Sequence, residues 1–191
     1  MNRILPLALT ALFAAPAFAE PVKYDLDPTH SAAAFSYSHL GFSTTRGIFG
    51  GVTGTIDFDA EAPENSAVEI SFPIAGLATG DAGRDGHFLS GDFFDAAKSE
   101  VVTFKSTSIE VTGEDTGLIT GDLSLNGVTK EIVIDAKLNF AGTHPMANTE
   151  WLGFDGTVTL IRSDFGLGMF APAIADEVLV EVSIEAGKAA E

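Results

Sequence analysis

The chain has 191 residues, 46% hydrophobic and 19% charged, with 27 acidic against 10 basic side chains and a formal net charge of −17. That length suits one domain able to bury its own core, and with no Cys anywhere it excludes disulfides, thiol catalysis and Cys-based metal sites. A chain this acidic repels nucleic acid and anionic membrane surfaces, so nucleic acid is excluded as a partner.

Residues 1–19 read as a cleavable signal peptide: Asn2-Arg3 is a short basic start, Ile4 to Ala15 an apolar run, and Ala17-Phe18-Ala19 a small-x-small cleavage site before Glu20. The run is too short to span a bilayer, and no integral membrane segment is expected after cleavage. Residues 20–191 then form a single exported domain, and losing Arg3 makes it one charge more acidic.

Beyond the leader the pattern is β. After Tyr24 to Asp27 comes a turn at Pro28-Thr29-His30, then a strand in which Ala33, Phe35 and Tyr37 share a face. Thr45 to Asp59 reads as one long β-like run interrupted by Gly47, Gly50, Gly51 and Gly54, which suggest bulges or barrel corners. Val68, Ile70, Phe72 and Ile74 alternate cleanly with polar residues, and a strand-like run covers Val101 to Val111. Ile119, Leu123 and Leu125 lead into Asn126-Gly127, the strongest short hairpin signal. The return strand carries Ile132, Ile134, Ala136, Leu138 and Phe140 on one face. Phe154, Val158 and Leu160, then Val178, Val180, Val182 and Ile184, continue the alternation.

Only residues 81–98 break this rhythm. Arg84, Asp85, His87, Asp92 and Asp95 are interleaved there with Phe88, Leu89, Phe93 and Phe94, and the crossing is too long for an ordinary connection. A short helical segment near 81–98 is predicted. The rest makes roughly eight long antiparallel strands, all-β, without βαβ rhythm or repeat. Long strands with one apolar face favour closure into a barrel with a narrow apolar tunnel, but a β-sandwich with a filled core satisfies the same pattern.

Several pieces, taken in order, resemble the YceI family of exported proteins. They are Asp27-Pro28-Thr29-His30-Ser31, Ser38-His39-Leu40-Gly41, Gly47-Ile48-Phe49, Arg84-Asp85-Gly86-His87-Phe88, Asp92-Phe93-Phe94-Asp95, Thr103-Phe104, the run Gly121 to Lys130, Gly153-Phe154 and Arg162-Ser163-Asp164-Phe165-Gly166. The resemblance implies an elongated, eight-stranded, lipocalin-like antiparallel barrel. It also implies a ligand, a polyisoprenoid or other long-chain amphiphilic lipid, and a periplasmic or secreted setting. Ala32-Ala33-Ala34 departs from the bulkier β-branched residues expected there, which bears on the tunnel's width at that level.

Chemistry for catalysis is sparse. The four His (His30, His39, His87, His144) have no ligand spacing, and the chain has neither a Gly-x-Ser-x-Gly elbow nor His-Glu-x-x-His. Gly166 to Ala171 mimics a dinucleotide fingerprint, but Pro172 spoils the helix start that a phosphate needs. No catalytic residue, metal site or cofactor is therefore assigned. Fifteen Phe against two Tyr and one Trp suit a dry channel, since Phe has large apolar area and no polar tip. The expected tunnel lining is Phe35, Phe72, Phe88, Phe104, Leu138, Phe140, Phe154, Val158 and Val180, with Arg84 and His87 facing a lipid head group. A plain ion pair of Arg84 with Asp85, Asp92 or Asp95 is the competing role. The reading is a periplasmic lipid carrier rather than an enzyme, with a homodimer left open. The rivals are an enzyme acting on such a lipid through His87 and its acidic neighbours, and an acidic β-sandwich interaction module.

Overall fold

A computed structural model describes residues 20–190; the signal-peptide reading, on residues 1–19, lies outside the described residues. In chain order the strands are β1 (Val22–Leu26), β2 (Ala32–His39), β3 (Ser43–Phe49), β4 (Thr53–Phe58), β5 (Ala67–Pro73) and β6 (Leu77–Ala78). After helix α1 (Ala82–Leu89) come β7 (Val101–Val111), β8 (Thr116–Leu125), β9 (Val128–Thr143), β10 (Glu150–Ile161) and β11 (Glu177–Lys188). The order β1-β4-β5-β7-β8-β9-β10-β11 returns on itself because β1 also pairs with β11. Every pairing is antiparallel, so the result is a closed eight-stranded barrel, and the sandwich alternative is set aside.

Closure depends on how β11 shares its free edge. Its residues 186–188 pair with β1, while 179–183 pair with β2, so β1 and β2 lie end to end along one strand. β3 and then β6 extend the β2 branch. The run expected as one strand from Thr45 to Asp59 is thus two, β3 and β4, parted at Gly50-Gly51 and serving different neighbours. The break is enforced by close approach: Gly50 N donates to Gly76 O at 3.1 Å, and a Cβ on Gly76 would stand 2.4 Å from Gly50 O. At Asn126-Gly127 both residues have positive φ, 52° and 75°, the hairpin geometry that matches the twist of β8 and β9.

The corner between β1 and β2 is a knot of polar contacts. Asp27 Oδ1 accepts from Thr29 N and Oγ1 at 2.8 and 2.7 Å, and Asp27 Oδ2 lies 2.7 Å from His30 Nδ1. The His30 hydrogen bond, helped by Thr29, holds the Asp27 carboxyl down at about 2, and Asp27 in turn raises His30. The depressed carboxyl stabilises the fold above its unfolded pKa of about 3.9 and stops doing so as pH falls towards 2. The raised imidazole stabilises below its unfolded value of about 6.5 and stops as pH rises through its folded pKa. The melting-temperature gap between the parent and His30→Ala is therefore expected to be widest between about pH 4 and 6.5 and to narrow on both sides. A gap that stays constant from acid to alkaline pH would contradict the pairing.

The segment after β6 forms the expected short helix. Asp81 caps α1 by accepting from Arg84 N at 2.8 Å, and Asp85 Oδ1 accepts from Thr79 N at 2.8 Å and Thr79 Oγ1 at 2.6 Å. These contacts offset the two helix-weakening glycines, Gly83 and Gly86. Phe88 and Phe94 then face inward, with ring centroids 6.4 Å from Tyr37 and 5.7 Å from Phe49. Together they cover one end of the barrel, named here the helix end. The other end carries the β7–β8 and β9–β10 turns.

Candidate functional site

The inward faces of the strands enclose a cavity of about 280 Å³, at the small end of ligand-sized sites. Its wall is apolar along the length. Phe35, Phe72, Phe104, Leu138, Phe154, Val158 and Val180 line it, on six different strands. Val178, Val182 and Ile184 on β11 and Ile132 and Ile134 on β9 complete the stripes that period-two alternation predicts.

Width comes from a row of small residues that only register brings together. Gly117 on β8 lies opposite Ala136 on β9, which lies opposite Gly156 on β10. Gly156 faces Val182 on β11, and Val182 faces Ala33 on β2. All five line the cavity. Ala33, one of the three alanines that departed from the expected bulk, thus belongs to a belt of small side chains that leaves room at this level.

Polar lining residues gather at the ends. Ser66, Glu114, Asp115 and Thr116 stand at the end opposite the helix and Arg162 at the helix end, while Asp155, midway along β10 and exposed, turns its carboxylate to the outer face. The Asp155 carboxyl is lowered, first by the hydrogen bond from Ser183 Oγ at 2.7 Å and then by Asn139 Nδ2 at 2.8 Å. Arg162 was quoted above only as part of a motif; its place as the sole Arg or Lys on the wall among the described residues needed the fold. It donates to the carbonyls of Ala175 (2.9 Å), Met169 (2.8 Å), Ile174 (3.0 Å) and Leu167, so four of its five N–H groups are used. A second cavity of about 70 Å³ continues beyond it, sharing Phe35, Phe94, Arg162 and Val178 with the first and reaching Met169 and Ile174.

Two expected lining residues lie elsewhere. Phe140 is on the outer face and 46% exposed, which corrects its placement in the tunnel. The cause is a bulge: Phe154 pairs with Leu138 but Gly153 pairs with Phe140, so Asn139 is an extra residue and the alternation of β9 changes phase there. Phe88 lines the smaller cavity, not the main one, because α1 lays it over Tyr37 and Phe93 at the barrel's end.

The expected head-group pair is also displaced. Neither Arg84 nor His87 lines the two cavities. His87 is exposed, with Nε2 3.3 Å from Asp92 Oδ2 and its ring edge-on to Phe93 at 5.1 Å. Arg84 has no carboxylate within ion-pair distance among the described residues, so the ion-pair role also fails: Asp95 engages Lys98, Asp92 meets His87, and Asp85 serves Thr79. Among the described residues the trio able to hold a metal is Asp27, His30 and Glu185, with ligand atoms within 4.8 Å of one another. It does not line the cavities, and His30 Nδ1 is already engaged by Asp27.

Comparison with known proteins agrees with this geometry. A UPF0312 protein of Pseudomonas syringae pv. tomato is 42% identical over 163 residues, covering 85% of this chain and 84% of that protein. The crystal structure of a Campylobacter jejuni YCEI protein superposes with a TM-score of 0.73 at 29% identity, covering 80% of this chain and 90% of that one. A polyisoprenoid binding domain from Saccharophagus degradans shares the fold at a TM-score of 0.67 and 16% identity, covering 88% and 99%. The YceI-like domain family model matches residues 24–186, nearly the whole barrel, and with it the chain belongs to the YceI-like family.

Proposed function

We propose that this chain is an exported, periplasmic carrier that holds a polyisoprenoid or another long-chain amphiphilic lipid inside its barrel, and that it is not an enzyme. The observation that carries the reading is a wall apolar along its length with polar residues only at its two ends. Such a site rewards a slim hydrocarbon tail, at about 0.8 kcal/mol for each CH₂ removed from water, and asks little of it besides fit. The Saccharophagus degradans neighbour, described as polyisoprenoid binding, supports the same ligand class. Export is supported by the basic start, apolar run and Ala17-Phe18-Ala19 of residues 1–19. Against catalysis, no His lines either cavity, and His87 is turned towards Asp92 on the outside. Acids at one end and Arg162 at the other orient an anionic or carbonyl head towards the helix end.

Native mass spectrometry of the purified protein, followed by organic extraction, tests this reading. The expected result is a mass increment of one lipid per chain, removable by extraction and restored by adding a prenyl lipid. A protein that purifies empty and takes up neither prenyl nor fatty-acyl lipids would overturn it.

A further inference from the structure

Two loops meet at the helix end. One is the β2–β3 turn, residues 40–42, and the other is the segment 166–175. Ala175 N donates to Ser38 O at 3.0 Å, and His39 bridges to Ile174, so the loops are neighbours. Their tips are apolar and in the open: Phe42 is 85% exposed, Phe170 55%, Leu40 46% and Met169 37%.

Turn geometry does not account for these residues. Among the described residues, five other than Gly have positive φ: Leu40, Asp95, Asn126, Asn148 and Phe170. Asn and Asp tolerate that conformation; large apolar side chains are uncommon there, and both instances fall on this rim. Leu and Phe thus stand in water, at positions where Asn or Gly would be less strained, on two neighbouring loops.

Charge separates this rim from the rest of the molecule. In a chain with 27 acids, no Asp or Glu stands between Asp27 and Asp57, and residues 166–175 carry no charge. Arg46, exposed on β3, has no carboxylate within ion-pair distance among the described residues. The two acids flanking the second loop are engaged, Asp164 by Lys130 at 3.1 Å and Asp176 by Ser163 Oγ at 2.6 Å. The rim also touches the interior: Met169 lines the smaller cavity, and Phe93, another of its lining residues, has its ring centroid 6.4 Å from that of Phe170.

We infer that this rim is a docking surface for a phospholipid bilayer, and that the barrel exchanges its lipid with the membrane there. The inference rests on the carrier reading for its purpose, but its geometry stands apart from it. Leu40, Phe42, Met169 and Phe170 enter the acyl boundary, and Arg46, a few residues behind the tip, meets lipid phosphate. The absence of acid on these two loops lowers, at their tips, the repulsion that headgroups meet from the rest of the net-negative surface, Asp92 of the neighbouring α1 crossing included.

Flotation with phosphatidylcholine/phosphatidylethanolamine vesicles tests it, with native mass spectrometry of bound lipid and light scattering run on the same samples. Phe42→Ser and Phe170→Ser are each expected to weaken vesicle partitioning by about tenfold, and Arg46→Ser by less. Met146→Ser, at an 83% exposed position in the β9–β10 turn, leaves partitioning unchanged. A parent that carries lipid but does not float with vesicles overturns the docking surface and leaves the carrier standing. A parent that floats through Phe42 yet never holds lipid does the reverse. If the two Phe variants instead dissolve a dimer, without any change in flotation, the rim joins two copies of this chain and the inference fails.

Discussion

Ala136→Phe is expected to empty the barrel of lipid while leaving it folded. Ala136 is only 8% exposed and stands in the middle of the small-residue belt, between Gly117 and Gly156. A phenyl ring there enters the cavity rather than a packed core, so the overpacking cost stays at the low end of about 1–3 kcal/mol. For a bound tail the loss is larger. Excluding even four CH₂ groups forfeits about 3 kcal/mol, more than a hundredfold in affinity. Native mass spectrometry and a thermal melt on one preparation read both quantities. A variant that keeps its full lipid load would place the tail elsewhere.

Arg162→Met is expected to act on stability and on the helix end together. Met keeps much of the side chain's length but leaves the carbonyls of Leu167, Met169, Ile174 and Ala175 without their donor. Charged donors contribute about 1.5–3 kcal/mol each, and partial access of water to these acceptors reduces the total to roughly 3 kcal/mol. For a domain of this size that is a fall in melting temperature of about 6–12 °C. Arg162→Lys recovers little of it, because an ammonium cannot span four carbonyls on different sides. Hydrogen exchange should accelerate first in residues 166–175, the segment Arg162 holds against the barrel. A Lys variant that melts with the parent would show that the guanidinium fork is not what fastens the loop.

How much of this was legible in the residues depends on the distance over which each feature is decided. Val178, Val180, Val182 and Ile184 point inward because successive side chains of a strand alternate, and that needs no partner. Asn126-Gly127 turns the chain for an equally local reason: both residues accept positive φ. The length of the crossing, and its charged residues interleaved with Phe88, Leu89, Phe93 and Phe94, likewise announced a short helix near 81–98, though the Asp81 cap that starts it emerged only with the structure. The all-β class, the inward stripes and the short helix were therefore written in short-range sequence.

The tertiary structure decided what short range cannot. Barrel and sandwich share one alternation pattern; only the register of Leu26 against Ala186, across nearly the whole chain, closes the ring. Phe140 has the right spacing to face inward, yet one extra residue at Asn139, set by the pairing with β10, turns it out. The belt of Gly117, Ala136, Gly156 and Ala33 exists only because register lines up residues from four separate strands. Arg162 in the sequence is one of ten cations, and carbonyls up to thirteen residues away made it the fastening of a cavity's end. Alternation and turn preference are properties of a few consecutive residues, whereas closure, register and shared hydrogen-bond donors are settled between strands that meet only once the chain has folded.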